Sequence, residues 1–144
     1  MSTFNPDKAI KLLNEALELE MAGVVRYTHY ALMVVGHSRI PICKWLNAQA
    51  TESLDHAQRV GELITHFDSH PSLKIGQLLE THQHDINSIL EESLAHEQVG
   101  LSVYYKLLEE TEGHCTLLEE FARSMIVEEE MHIGEVRKML KKPE

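Results

Sequence analysis

Glu20, Glu52, Glu97 and Glu129 each interrupt a series of apolar residues recurring every three or four positions, the spacing of a helix face turned towards a core. Around Glu20 the series reads Leu13, Leu17, Val24, Tyr27 and Ala31, and around Glu97 it reads Leu90, Leu94, Leu101, Tyr104 and Leu108. Around Glu129 it reads Leu118, Met125, His132, Val136 and Leu140, whereas the less regular series around Glu52 reads Trp45, Ala48, His56, Leu63 and Phe67. A single glutamate on a long helix most often faces solvent. Four at matching heights, two of them accompanied by a histidine, point inward together. Desolvating an unpaired carboxylate costs several kcal/mol, and like charges nearby add repulsion. Lys and Arg are absent from these faces. Two divalent cations would balance the four carboxylates, with His56 and His132 each offering one imidazole nitrogen. A mixed carboxylate and imidazole set with open positions suits iron or manganese better than calcium or structural zinc. By the same count Glu128 and Glu130 flank the inward direction and read as surface acids.

Long helices must position these residues. Pro6, Pro41, Pro71 and Pro143 fall where segments begin or end, and no strand-like alternation occurs between them. Asn5 and Pro6 open a helix that Gly36 closes, over 6–36. Pro41 opens the second, over 41–67. The third spans 82–112 and stops at Gly113; Thr116 and Glu119 form a capping box opening the fourth, over 116–140. Helices of this length are about 40 Å long, which suits a bundle. The first and last connections are short and make antiparallel hairpins, while residues 68–82 can stretch about 50 Å and return along the bundle. An offset of 77 residues superposes Leu13, Glu20, Gly23 and Tyr27 on Leu90, Glu97, Gly100 and Tyr104, and carries Glu52 onto Glu129. The halves read as a duplication.

The whole chain, 1–144, reads as one domain, with 43% hydrophobic and 25% charged residues. A net charge of −10 argues against nucleic acid and anionic lipid partners and favours cations. The N-terminus has no signal-like segment and no long apolar run follows, so the expected address is the cytoplasm, without membrane association. Cys43 and Cys115 lack the spacing of a zinc or rubredoxin-like site and read as buried free thiols.

Over about residues 8–140 the chain resembles the ferritin-like di-iron family, and bacterioferritins most. Such bundles take one Glu from each of two helices and Glu-x-x-His from each of the other two. Glu20 in Leu-Glu-Met-Ala and Glu97 in Ala-His-Glu-Gln match the single-Glu helices, and Glu129-Glu-Met-His132 matches the paired motif. Glu52-Ser-Leu-Asp-His56-Ala has one residue too many between acid and imidazole. A π-bulge between Glu52 and His56 would restore a bridging carboxylate, with Asp55 as the alternative ligand. The resemblance implies an all-α, ferritin-like four-helix bundle with a long crossover between its second and third helices. It further implies two iron ions, with manganese or zinc as substitutes, bridged by Glu52 and Glu129, capped by Glu20 and Glu97, and each held by one histidine. The implied activity is Fe(II) oxidation by dioxygen or peroxide, a ferroxidase serving iron storage or detoxification. Tyr27 would hydrogen-bond a ligand or donate an electron, or serve simply as a core residue.

Leu54 stands where haem-binding bacterioferritins have methionine, which argues against haem. Leu94 replaces an acid found in rubrerythrins, leaving a rubrerythrin-like peroxide-reducing oxidoreductase as the alternative, beside a metal-binding bundle without turnover. Closed ferritin cages have a short fifth helix after the fourth, whereas this chain ends 12 residues past His132, which leaves a full storage cage open. Leu32, Val34 and Val35 would face outward and seal a homo-oligomer, a dimer or a larger cage. His66, His70, His82 and His84 bracket the crossover and read as solvated or as metal collectors.

Overall fold

Caps and turns divide the chain into four helices. The computed structural model describes residues 4–78 and 80–143. Met1 to Thr3, Leu79 and Glu144 lie outside the described residues, and with them part of the N-terminal run and the chain end considered above. Helix α1 (Pro6–Met33) starts where the Asn5 side chain accepts from Asp7 N. It ends three residues before Gly36, because Val34 is already extended and Gly36 has a φ of +101° that no helix continues. Helix α2 (Arg39–His66) begins ahead of Pro41. The first turn of a helix leaves its N–H groups without internal partners, so a proline costs nothing there. Helix α3 (Ile86–Thr111) begins later than residue 82, because Asp85 caps it by accepting from Ser88 N at 3.1 Å. Helix α4 (Thr116–Leu140) has the expected bounds, but Cys115 is its N-cap. Glu119 accepts from Gly113 N at 2.7 Å instead of completing a box with Thr116.

Helix α1 packs on α2 and α3, and α3 on α4; α2 and α4 approach less closely and are bridged by Arg59 and Glu128 at 3.2 Å. The long connection, residues 67–85, is tied along α1. Ser72 N donates to Asn14 Oδ1 at 2.7 Å, Gly76 N to the Glu18 carbonyl at 2.8 Å, and Arg26 Nη2 to the Gln77 carbonyl at 3.1 Å. These bonds satisfy backbone groups that a strand or helix would otherwise pair. The result is the expected all-α four-helix bundle with its long crossover.

The apolar core is in two parts. One, around Leu13, Leu17, Val60, Leu107, Leu118 and Met125, lies towards the start of α1; the other, around Tyr27, Tyr30, Ala31, Leu46 and Ile89, lies towards its end. Glu20, Ser53, His56, Glu97 and Glu129 are buried between them. Val34 is buried, contrary to the outward placement expected, while Leu32 and Val35 are 72% and 81% exposed. Val34 follows the last helical residue, and its extended backbone turns the side chain back onto the bundle. Cys43 and Cys115 are free and half-buried rather than buried. No helix among the described residues is long and apolar enough to cross a membrane.

Candidate metal centre

Helices α1, α3 and α4 each bring one carboxylate into the layer between the two apolar clusters: Glu20, Glu97 and Glu129 are only 9, 8 and 4% exposed. His56 of α2 is buried beside them. Its Nδ1 lies 3.5 Å from both Glu20 Oε2 and Glu129 Oε1. One donor atom from each of these three residues falls within 4.8 Å of the others. His132 of α4 closes the opposite side, with Nε2 at 3.8 Å from Glu97 Oε1 and its ring stacked on Trp45 at 5.9 Å between centroids. A cavity of about 10 Å³ opens among Gln49, Glu52, Ser53, His56, Glu97, Glu129 and His132.

Glu52 does not join the buried carboxylates. Its side chain is 44% exposed, on the rim of the layer, with Oε1 at 3.7 Å from His56 Nε2. Helix α2 is uninterrupted α-helix from Arg39 to His66, so the expected π-bulge is absent. Each residue turns the helix by 100°, and the inward position three residues before His56 belongs to Ser53, which is buried. Glu52 therefore stands about 100° round from it. A Cβ added at Gly23 would come 2.7 Å from Ser53 Oγ, so the glycine makes room for Ser53 against α1. Asp55 is exposed and lies 3.8 Å from Arg59. Glu128 is partly exposed rather than a plain surface acid: its Oε2 lies 3.7 Å from His56 Nε2 and 3.2 Å from Arg59. Glu130 is exposed, as expected.

Two tyrosines hold the carboxylates by a reciprocal arrangement. Tyr27 on α1 donates to Glu97 Oε1 on α3 at 2.7 Å, and Tyr104 on α3 donates to Glu20 Oε1 on α1 at 3.2 Å. Tyr27 also meets Ser93 Oγ at 3.0 Å and His132 Nε2 at 3.2 Å. The role of Tyr104 went unread in the sequence, although the 77-residue offset that relates Glu20 to Glu97 relates it to Tyr27. Ser53 was also missed; the three-residue spacing of Glu129 and His132, laid back from His56, finds it. A third unread feature lies beside the layer: buried Glu92 accepts from Tyr30 at 2.7 Å and from Thr81 Oγ1 at 2.8 Å, and pairs with Arg26 at 3.3 Å.

Burial dominates the electrostatics. It pushes Glu20 up to about 7 against the opposing pull of His56. Burial, together with a hydrogen bond and repulsion from Glu129, raises Glu97 well above the carboxylate range. Burial alone would lower His56, but hydrogen bonds and charges from Glu129 and Glu20 outweigh it and raise the imidazole to about 10. His132 moves the other way, lowered by burial against the pull of Glu97. Burial and the nearby Arg26 lower His96 to about 4. The layer thus favours protons on His56, Glu20 and Glu97.

A family model described as the ferritin-like domain matches residues 10–144. No protein of curated function matches the sequence significantly. Among solved structures, a ferritin-like, diiron-carboxylate protein from Bacillus anthracis superposes with a TM-score of 0.89 at 24% identity, covering 98% of this chain and 100% of its own. A bacterioferritin-related protein from Bacteroides fragilis, described as a dodecameric thioferritin, gives 0.88 at 23% identity over 95% of this chain and 86% of its own. Rhodobacter capsulatus bacterioferritin, described with a metal-free dinuclear site and heme iron, gives 0.82 at 22% over 96% and 86%. At these identities the likeness speaks for the fold. The family match spans nearly the whole bundle and every residue of its polar layer, and the chain accordingly belongs to the ferritin-like domain family.

Proposed function

We propose that the polar layer binds two iron ions and oxidises Fe(II) with dioxygen or peroxide, serving iron storage or detoxification. The observation that carries this reading is the meeting of three buried carboxylates and two imidazoles in mid-bundle, where the surroundings hold Glu20, Glu97 and His56 towards their protonated forms. The residues fit such ions: Glu129 Oε2 and His56 Nε2 are buried without hydrogen bonds, and carboxylate with imidazole is a donor set that iron accepts. The diiron-carboxylate and bacterioferritin-related descriptions of the structural neighbours favour iron, with manganese or zinc as substitutes.

In this reading Glu20, Glu97, Glu129, His56 and His132 hold the ions. Glu52 and Glu128 stand 3.7 Å from the outer nitrogen of His56, and one donor atom from each of the three lies within 4.8 Å of the others, so Glu52 serves as a further ligand from the rim of the layer. Tyr27 holds Glu97 in place and, meeting His132 at 3.2 Å, serves as an electron donor, while Tyr104 positions Glu20. A carboxylate-rich shell stabilises Fe(III) over Fe(II), which is what favours oxidation of the substrate metal. The protein works in the cytoplasm without haem, as a homo-oligomer sealed through surfaces such as exposed Leu32 and Val35. Adding Fe(II) in air and following ferric absorbance tests the activity. Oxidation of two irons per chain followed by continued uptake supports storage, whereas binding without oxidation, or peroxide turnover without uptake, overturns it. Glu97→Ala and His132→Ala should each slow oxidation by at least about tenfold; unimpaired rates in both would reject the ligand assignment.

A further inference from the structure

A second group of metal-binding side chains stands apart from the polar layer, where the crossover rejoins the bundle. His29 lies on α1, and Glu80 and His84 lie just before the Asp85 cap of α3. His29 Nε2 is 3.0 Å from Glu80 Oε2, and His84 Nε2 is 3.5 Å from Glu80 Oε1. The imidazoles meet edge to face, with centroids 5.9 Å apart, and one donor atom from each residue lies within 4.8 Å of the others. Of the four histidines that bracket the crossover in the sequence, His84 is the one that meets such a set, and its partner His29 comes from α1.

We propose that His29, Glu80 and His84 form a mononuclear site for a divalent transition-metal ion, which clamps the end of the crossover onto α1. Tetrahedral bonds of about 2.0–2.1 Å place neighbouring donors about 3.3–3.4 Å apart. The distances of 3.0 and 3.5 Å bracket that edge. The remaining gap between the imidazoles closes by rotation of His29, whose side chain is partly exposed. His84 Nε2 is shielded from solvent and makes no hydrogen bond, which leaves its lone pair for a metal.

The backbone prearranges the donors. His82 has a φ of +58°, a left-handed turn that brings Glu80 and His84 to one side, and its N–H donates to Glu80 Oε1 at 2.6 Å. Two imidazoles and one carboxylate select zinc, cobalt or ferrous ions over magnesium and calcium. A fourth position is left for water on the side of the cleft formed by Val25, His29, Leu78 and Glu80. Because metal binding here joins α1 to a segment 51 residues away, it restrains the crossover against opening.

Equilibrium dialysis of the metal-free protein against Zn(II), followed by metal analysis, tests the site. The native chain should hold one more zinc than His84→Ala, His29→Ala or Glu80→Gln, while all three oxidise Fe(II) at the native rate. Glu80→Gln keeps the acceptor for His82 N–H and so guards against loss of the loop itself. Zn(II) should also slow proteolysis of the crossover in the native protein and not in His84→Ala. Equal zinc content in the native protein and all three variants would overturn the proposal. Loss of iron oxidation alone would bear on the central layer and not on this site.

Discussion

The two helical hairpins present a histidine to the same layer in opposite circumstances. In the second, Glu129 and His132 lie three residues apart on one face of α4, and His132 is covered by Trp45 and held towards the neutral form. In the first, the equivalent place before His56 is taken by Ser53, so α2 brings an imidazole without a buried carboxylate of its own. His56 is left among acids from other positions: Glu20 and Glu129 at its inner nitrogen, Glu52 and Glu128 at its outer one. The difference teaches that the halves share the tyrosine–glutamate exchange but differ in how they balance charge. In the first hairpin the surrounding acids hold His56 towards its protonated form, whereas in the second burial and the neighbouring Glu129 hold Glu97 towards its own.

Removing each histidine from the metal-free protein should expose this contrast most strongly. His56→Ala strips the cation from Glu20 and Glu129 and should cost about 3–5 kcal/mol, read by denaturant unfolding. His132→Ala, losing a neutral ring, should cost clearly less; equal losses would show that His56 carries no compensating charge. The same asymmetry appears with pH. From pH 6.5 to about 10 the folded state holds protons on His56 that the unfolded chain has released, and the raised Glu20, at about 7, acts in the same direction over its lower part. Stability of the metal-free protein therefore falls as pH rises through that window. Below 6.5 the lowered His96 and His132 act in the opposite sense. Thermal unfolding of metal-free protein between pH 6.5 and 9 checks this, and the slope should flatten in His56→Ala.

Ser53→Glu would make the hairpins alike. It should tighten metal binding by about tenfold and destabilise the metal-free protein, measured by titration and unfolding of the same preparation. Unchanged affinity would mean that the serine is not the missing carboxylate position. The smallest expected difference is between the tyrosines. Tyr27→Phe removes a 2.7 Å bond to a carboxyl group and Tyr104→Phe a 3.2 Å one, so each should cost about 1–2 kcal/mol, the former more.

The bundle was legible because its punctuation is local: Gly36, Gly113, Asn5 and Pro6 mark ends that the helices respect to within a few residues. Helix starts were less so, since Pro41 is harmless anywhere in a first turn and Asp85 outcompetes the residues before it. Glu20, Glu97, Glu129, His56 and His132 could be placed in the layer because each interrupts an apolar stripe. Glu52 was misplaced for a specific reason. The 77-residue offset holds between α1 and α3 and between the starts of α2 and α4, but the path from Tyr27 to His56 is one residue longer than that from Tyr104 to His132. Between α2 and α4 the inward positions are therefore related by 76, which sets His56 on His132 and Ser53 on Glu129. One residue turns a helix by 100°, enough to move a carboxylate from the core to its rim. The tie between His29 and the crossover is non-local and left no mark in any one segment.

Anaerobic titration with Fe(II), followed by admission of air, tests the central account most directly when performed on a His29→Ala, His84→Ala protein. Saturation at two ions per chain, proton release as the ions enter, and ferric absorbance after air are the results expected. A protein that takes up no Fe(II) and keeps its protons would contradict the claim that metal replaces them between the two halves of the core.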